Sequence, residues 1–314
     1  MFVLQSSNYE LEYTRLKICY CDVAELFKQN DIIVIQESWL RTGQELSLLI
    51  PEGFNIWSSS HSSGDELASA RGGVVFLLRH EVHADLVPFP AVADVLVLET
   101  PSLFLIAAYV VPVSSEWWRW TDINPMDSIE RVLSLCKLRD KAKTIILSGD
   151  LNGQTGSINS FASVHGWWSA DTIVNAQGRW ILNLCNDYRM TTLNGTRCAK
   201  GDLGKLTCFQ VNGCSIIDYA IVSFPFYASV RDNSLEIVDF GERVSDHAYL
   251  RLLTPLPFVP TASWRRGVNA PINVLLSRSF DLSPLDMLNE IMIESARESE
   301  DAVDDLYGRP SNAE

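Results

Sequence analysis

The sequence predicts an α/β fold in which two β-sheets pack on each other with helices on the outside. Three observations lead there. Strand-like runs outnumber helical patterns. Several neighbouring runs are separated only by short turns, too short for the crossover helices of a doubly wound parallel sheet. The runs themselves are rich in Val, Ile and Leu and are bounded by Gly, Asp, Ser or Pro, as buried strands are.

Taken along the chain, the first element is a helix over Leu16–Gln29, which places Leu16, Val23, Leu26 and Phe27 near one face. Strands follow at Ile32–Gln36, Gly73–Leu78, Val95–Glu99 and Leu103–Val111. A second helix is expected over Pro125–Lys141. Its proline suits a helix start, and Ile129, Val132, Leu133 and Leu135 supply its apolar side. A strand at Thr144–Ser148 comes next, then a turn at Asn175–Arg179 leading into a helix over Gly178–Asp187. The last strands of the series are Ile216–Val222 and Ala248–Leu253. Residues 255–280 hold Pro255, Pro257, Pro260 and Pro271 and read as a linker. Leu282–Ala302 has the pattern of an amphipathic acidic helix, which would serve equally as a solvated tail or a docking element. The expected organisation is therefore a domain over 1–254, a linker over 255–280 and an acidic tail over 281–314, helical or disordered.

Composition sets the boundaries of function. At 314 residues, 47% hydrophobic and 20% charged, the chain can bury a large core without disulfide or metal staples. The N-terminus has neither a basic segment nor a long apolar run, so no secretory signal is expected. No apolar stretch approaches the roughly 18 residues of a membrane span. The seven cysteines form no paired C-x-x-C units, and Cys19 and Cys21 make a lone C-x-C. Reduced thiols in an intracellular protein are expected. The net charge of −14 runs against the basic footprint of most nucleic-acid binders. More than half of it lies in residues 281–314, where ten acids face two arginines for a net of −8. Residues 1–280 carry −6, part of which metal-site carboxylates would account for.

Polar residues recur where the apolar runs end. Ile32–Ile35 runs into Gln36-Glu37-Ser38-Trp39, and Thr144–Leu147 into Ser148-Gly149-Asp150-Leu151-Asn152. Ser215-Ile216-Ile217 runs into Asp218-Tyr219, and Ser245-Asp246-His247 stands just before Ala248–Leu250. Singly, each has an ordinary explanation: a turn, a surface acid, a structural His–Asp pair. Together, Glu37, Asp150, Asn152, Asp218, Asp246 and His247 are strand-end groups of the kind that build a rigid polar site. Their hard oxygen donors, with no matching Cys/His cluster, point to Mg²⁺ or Mn²⁺ and not to zinc.

These motifs resemble the endonuclease/exonuclease/phosphatase superfamily, which includes apurinic/apyrimidinic endonucleases and the endonuclease domains of LINE-type retrotransposons. The matching text is Gln36-Glu37-Ser38-Trp39-Leu40, Ala108-Tyr109-Val110, Ser148–Asn152, Ile217-Asp218-Tyr219 and Ser245-Asp246-His247, within residues 2–254. The resemblance implies a four-layer α/β/β/α sandwich of two packed mixed sheets with outer helices, and a site at one edge of the sheets. The superfamily's first motif is an Asn closing the first strand. Asp22 follows the local text of that strand but leaves no room for a helix before Glu37. Asn8 lies 29 positions before Glu37, leaves that room, and is chosen, although Ser7 stands where the family usually has Trp.

By that resemblance Glu37, Asn8 and Asp246 are metal residues. Asp150 would orient the attacking water, Asn152 and Tyr109 would hydrogen-bond the phosphate, and His247 would contact it with Asp218 orienting the ring. Whether Asp150 or His247 takes the water's proton stays open at this point. Thr207 matches a Thr that precedes an aromatic in the family, where a plain strand residue would look the same. Arg197, Lys200 and Lys205 lie in a loop that would suit either a phosphate backbone or solvent. Trp117, Trp118, Arg119 and Trp120 would suit base stacking or core packing. Three functions follow. The first is a metal-dependent DNA endonuclease of retrotransposon or abasic-site type. The second is a phosphatase or phosphodiesterase on inositol phosphates or phospholipids, which usually shows a Pro-Ala-Trp-Cys-Asp-Arg element not found here. The third is a degenerate domain kept only for binding. The expected partner is nucleic acid, DNA in particular, and no membrane.

Overall fold

In the computed structural model, the described residues are 27–38, 53–61, 71–89, 94–115, 118, 123–158, 168–201, 204–211, 213–239, 246–254 and 272–277. They form two six-stranded sheets and a small hairpin. The first sheet contains β1 (Ile32–Gln36), β2 (Phe54–His61), β3 (Arg71–Arg79), β12 (Leu235–Val238), β13 (Tyr249–Thr254) and β14 (Ile272–Ser277), in the order β12-β13-β14-β1-β3-β2. The second contains β4 (Asp85–Leu86), β5 (Val95–Glu99), β6 (Leu103–Tyr109), β7 (Thr144–Asp150), β8 (Met190–Thr192) and β11 (Asp218–Ser223), in the order β4-β5-β6-β7-β11-β8. The hairpin is β9 (Cys208–Gln210) with β10 (Gly213–Ser215). Both sheets are mixed: β14 runs parallel to β1 and β6 parallel to β7, and the other pairings are antiparallel.

The parallel β6–β7 pair needs a crossover, which α1 (Pro125–Arg139) supplies. Asn124 caps this helix through a hydrogen bond from the Met126 amide (3.0 Å), and Pro125 occupies its first turn. The second helix, α2 (Ala176–Tyr188), begins where the Asn175 side chain accepts from the Gly178 amide at 2.7 Å, the turn into a helix that the sequence predicts. A short helix, α3 (Phe224–Ser229), follows β11.

Period-two alternation along β6 shows how the layers pack. Leu103, Leu105, Ala107 and Tyr109 meet Ile32, Val34, Phe76 and Leu250 of the other sheet. The intervening Phe104, Ile106 and Ala108 meet Ile129, Val132 and Leu133 of α1 and Ile181 of α2. The outer face of the first sheet presents Ile33, Val75, Leu77 and Tyr249, against which Phe27 packs. Of the helix expected at 16–29, residues 27–29 are described and are helical. The sheets thus pack face to face, with α1 and α2 on the far side of the second.

The seven strands expected from sequence all occur. Within the stretch expected to be linker, residues 272–277 form β14, paired with both β1 and β13 in the middle of the first sheet. The four prolines of 255–280 all lie outside this segment, and Ile272–Ser277 alone has strand composition. The acidic stretch 281–314 lies outside the described residues. No helix among the described residues is long and apolar enough to cross a membrane.

Candidate active site

Strand register gathers the site. Tyr109 closing β6 is opposite Asp150 closing β7, and Asp150 is opposite Asp218 opening β11. Three polar side chains therefore stand in a row across the second sheet. The first sheet contributes the rest: Glu37 just past the end of β1, and Asp246 and His247 just before β13. Side chains of these residues join the sheets through two hydrogen bonds. Tyr109 donates its hydroxyl to Glu37 Oε1, and His247 Nδ1 pairs with Asp218 Oδ2 at 2.9 Å.

The local backbone is held in uncommon conformations. Glu37 has φ 50° and Asn152 φ 48°, the left-handed region that costs a non-glycine residue energy. Asn152 is stabilised by its amide donating to Asp150 Oδ1 (3.0 Å) and by its Nδ2 donating to the Val110 carbonyl (2.9 Å). Gly149 is required because a Cβ there would sit 1.8 Å from the Ala108 carbonyl oxygen. This explains in steric terms why a glycine precedes Asp150.

Electrostatics follow from burial. Asp150 is 2% exposed, and burial raises its pKa well above the usual carboxylate value, with the Asp218 and Glu37 charges adding to the rise and the His247 ring opposing it. For His247, burial acts to lower the pKa. The Asp218 carboxylate outweighs this, so the ring's pKa is raised and its charged form favoured. Burial, with Glu37 and Asp150 nearby, raises the Tyr109 hydroxyl well above its ordinary value and keeps it a donor.

Donor atoms of Asp150, Asp218 and His247 lie within 4.8 Å of one another, and Glu37 acts on Asp150 from the other sheet. A buried concentration of carboxylates around one imidazole is what a divalent cation with oxygen ligands would relieve. The residues therefore fit Mg²⁺ or Mn²⁺. Asp246 is about half exposed, its Oδ1 3.9 Å from His247 Nε2. Asn8 lies outside the described residues.

The residues read as substrate contacts fare differently. Thr207 is fully buried, and its Oγ1 accepts from the amides of Ile217 and Asp218, each at 3.1 Å. Through these bonds it holds the backbone of Asp218 in place. Arg197 is clamped by an ion pair with Asp232 and by the carbonyls of Val230 and Tyr227. Lys200 pairs with Glu236 on the edge strand β12 at 3.0 Å. Trp118 packs against the inner core and donates Nε1 to the Pro112 carbonyl, while Trp117, Arg119 and Trp120 lie outside the described residues.

Two residues near the site escape sequence reading. Asp94, fully buried with φ 57°, accepts from the Gly73 amide at 2.6 Å and so ties β5 to β3 beside Glu37. Burial, countered by the Gly73 bond and reinforced by Glu37, pushes its pKa up to about 7. It stands at the start of its strand, whereas the acids singled out by pattern mostly follow strands. Cys208 pairs with His247 through an isolated antiparallel bridge, a proximity between residues 39 positions apart that no local pattern signals.

A family model described as the Endonuclease/Exonuclease/phosphatase family matches residues 10–247. No curated protein matches the sequence. Among solved structures, the APE2 catalytic domain from Xenopus laevis is 14% identical over 75% of this chain and 86% of its own, with a TM-score of 0.50. The 3′ phosphatase NExo from Neisseria, solved with a product DNA hairpin, is 19% identical over 74% and 93%, with a TM-score of 0.49. The endonuclease domain of TRAS1, a telomere-specific non-LTR retrotransposon, is 16% identical over 74% and 89%, with a TM-score of 0.45.

Proposed function

The chain belongs to the Endonuclease/Exonuclease/phosphatase family, and on that premise we propose that it is a divalent-metal-dependent phosphodiesterase, specifically a DNA endonuclease of retrotransposon or abasic-site type. The observation that carries this reading is the convergence of Asp150, Asp218 and the His247 ring within 4.8 Å, at strand ends in two different sheets. Such an arrangement is preorganised: its dipoles and charges are set before substrate arrives.

Glu37, with Asp246 and Asn8, would hold Mg²⁺ or Mn²⁺. When bound, that ion supplies Lewis-acid stabilisation of charge on the scissile phosphate and the leaving oxygen. The protein's own groups do the rest. Tyr109 orients the Glu37 carboxylate through its hydroxyl. The Asp218 carboxylate favours the charged form of His247, which suits it to bind a phosphate oxygen. A charged imidazole is a poor proton acceptor, and this supports Asp150 as the group that orients the attacking water and takes its proton. The raised pKa of Asp150 makes its carboxylate a stronger base than a surface acid. Asn152 has one amide N–H engaged by Val110, and the other is assigned to the phosphate. Phosphoryl chemistry asks chiefly for this positioning and charge stabilisation.

The test is nicking of supercoiled plasmid DNA with Mg²⁺, with EDTA, and with an Asp150→Asn variant. Cleavage that needs the metal and falls at least about 100-fold in the variant is expected, the scale of losing one acid–base group. Intact DNA together with phosphate released from inositol phosphates would transfer the same site to a phosphatase. Absence of measurable Mg²⁺ binding would favour a binding domain without catalysis.

A further inference from the structure

We propose that Cys208, Asp246 and His247 form an inhibitory site for zinc or another thiophilic divalent cation, which shares Asp246 with the oxygen-donor site assigned to Mg²⁺ around Glu37 but adds a thiolate and an imidazole to it. The inference rests on the catalytic reading of His247 for its inhibitory consequence, though not for the binding itself.

The observation is a mixed donor set with the right composition and spacing. The Cys208 sulfur, an Asp246 oxygen and a His247 nitrogen all lie within 4.8 Å of one another. Backbone pairing fixes this proximity. Cys208 and His247 face each other across an antiparallel bridge, with the Phe209 amide donating to the Asp246 carbonyl and the Ala248 amide to the Thr207 carbonyl, each at 2.7 Å. The arm that presents the thiol is thus laid directly on the segment that carries the other two ligands, and neither can drift alone.

The ring orientation also suits a metal. Nδ1 of His247 is held by Asp218 at 2.9 Å, while Nε2 points towards Asp246 at 3.9 Å. A carboxylate behind the far nitrogen of a ligating imidazole is the usual supporting partner of zinc-bound His, fixing its rotamer and raising its basicity. Asp246 is further steadied by Gln210 Nε2 on its Oδ2 at 3.3 Å. Three protein ligands of thiolate, imidazole and carboxylate type, with Asp246 about half exposed to solvent, leave a fourth position for water.

Softness separates the two sites. A thiolate adds much to binding of Zn²⁺, Co²⁺ or Cd²⁺ and little to Mg²⁺. Binding displaces the thiol proton and, when the ring is charged, the Nε2 proton; both pass to solvent as the sulfur and nitrogen lone pairs bind the metal. Occupancy would remove His247 from the phosphate and Asp246 from its own role, so that nicking stops while the fold stays intact.

The direct experiment uses Co²⁺ alone on the metal-free protein, in a background with Cys19→Ser and Cys21→Ser so that the C-x-C pair cannot contribute. One equivalent of bound cobalt with a sulfur-to-cobalt charge-transfer band is expected, lost in Cys208→Ser and kept in Cys214→Ser. Cys208→Ala serves the same purpose should the serine variant not fold. In the nicking assay, Zn²⁺ added to the Mg²⁺-supported reaction should inhibit, with the half-inhibiting concentration raised at least about 10-fold by Cys208→Ser, since losing a direct ligand should cost no less than losing an outer supporting partner. A thiolate band that survives Cys208→Ser, or no band at all, would overturn the proposal. Zinc inhibition unchanged in that variant would do the same. Should the protein nick no DNA, the cobalt band still decides the site, and only the endonuclease reading fails.

Discussion

The Asp94 carboxyl offers the sharpest quantitative test of how the two sheets are joined beneath the site. It is fully buried, it accepts from Gly73, and its pKa stands at about 7 against an ordinary 3.8. The folded protein therefore holds this proton more tightly than the unfolded chain does. The resulting stabilisation is complete below the unfolded pKa of about 3.8 and is lost as pH rises through about 7. Across the whole window the pKa difference of about 3 units corresponds to about 4 kcal/mol, at about 1.4 kcal/mol per unit. Asp94→Asn keeps an acceptor for the Gly73 amide but cannot ionise, so it removes this pH dependence. Its packing cost, including a buried N–H where Oδ2 has no partner among the described residues, is the same at every pH. Comparing wild type with Asp94→Asn by urea unfolding in EDTA, at about pH 5 and about pH 8, cancels that constant cost. The variant should gain on wild type by about 3 kcal/mol between the two conditions, the two or so pKa units that lie between about pH 5 and the folded pKa. A stability difference that does not change with pH would refute the assignment of a neutral buried carboxyl and with it the inter-sheet clasp.

Two further substitutions probe how the site is built. Thr207→Val removes the acceptor for the Ile217 and Asp218 amides and should cost about 1–3 kcal/mol in chemical denaturation, with Thr207→Ser restoring most of it; a fully stable valine variant would mean those amides are satisfied elsewhere. Gly149→Ala forces a methyl group onto the Ala108 carbonyl at 1.8 Å, so β6 and β7 must part. A loss of about 3 kcal/mol or more is expected, the upper range for overpacking, and a neutral outcome in thermal unfolding would show that the strand pair is looser than described.

Much of this protein can be read from its sequence because the signals are local. Apolar runs of strand length identify β1, β3, β5, β6, β7, β11 and β13, since a strand buried on both faces needs little beyond its own composition. The edge and hairpin strands β2, β4, β8, β9, β10 and β12 are short or polar and take their conformation from a neighbour. β14 is hidden by the prolines around it and becomes a strand only because β1 and β13 leave a place between them. For the site, the sequence alone marks Glu37, Asp150, Asn152, Asp218, Asp246 and His247 as polar groups at strand ends, because the chain must place them where apolar runs stop, whereas Tyr109 follows from the family resemblance. What a single chain text cannot carry is partnership. That Tyr109 serves Glu37, that Thr207 holds Asp218, that Arg197 and Lys200 are bound to Asp232 and Glu236, and that Asp94 and Cys208 border the site are matters of register between distant segments. Register is set by the packing of whole sheets, and only the tertiary structure decides it.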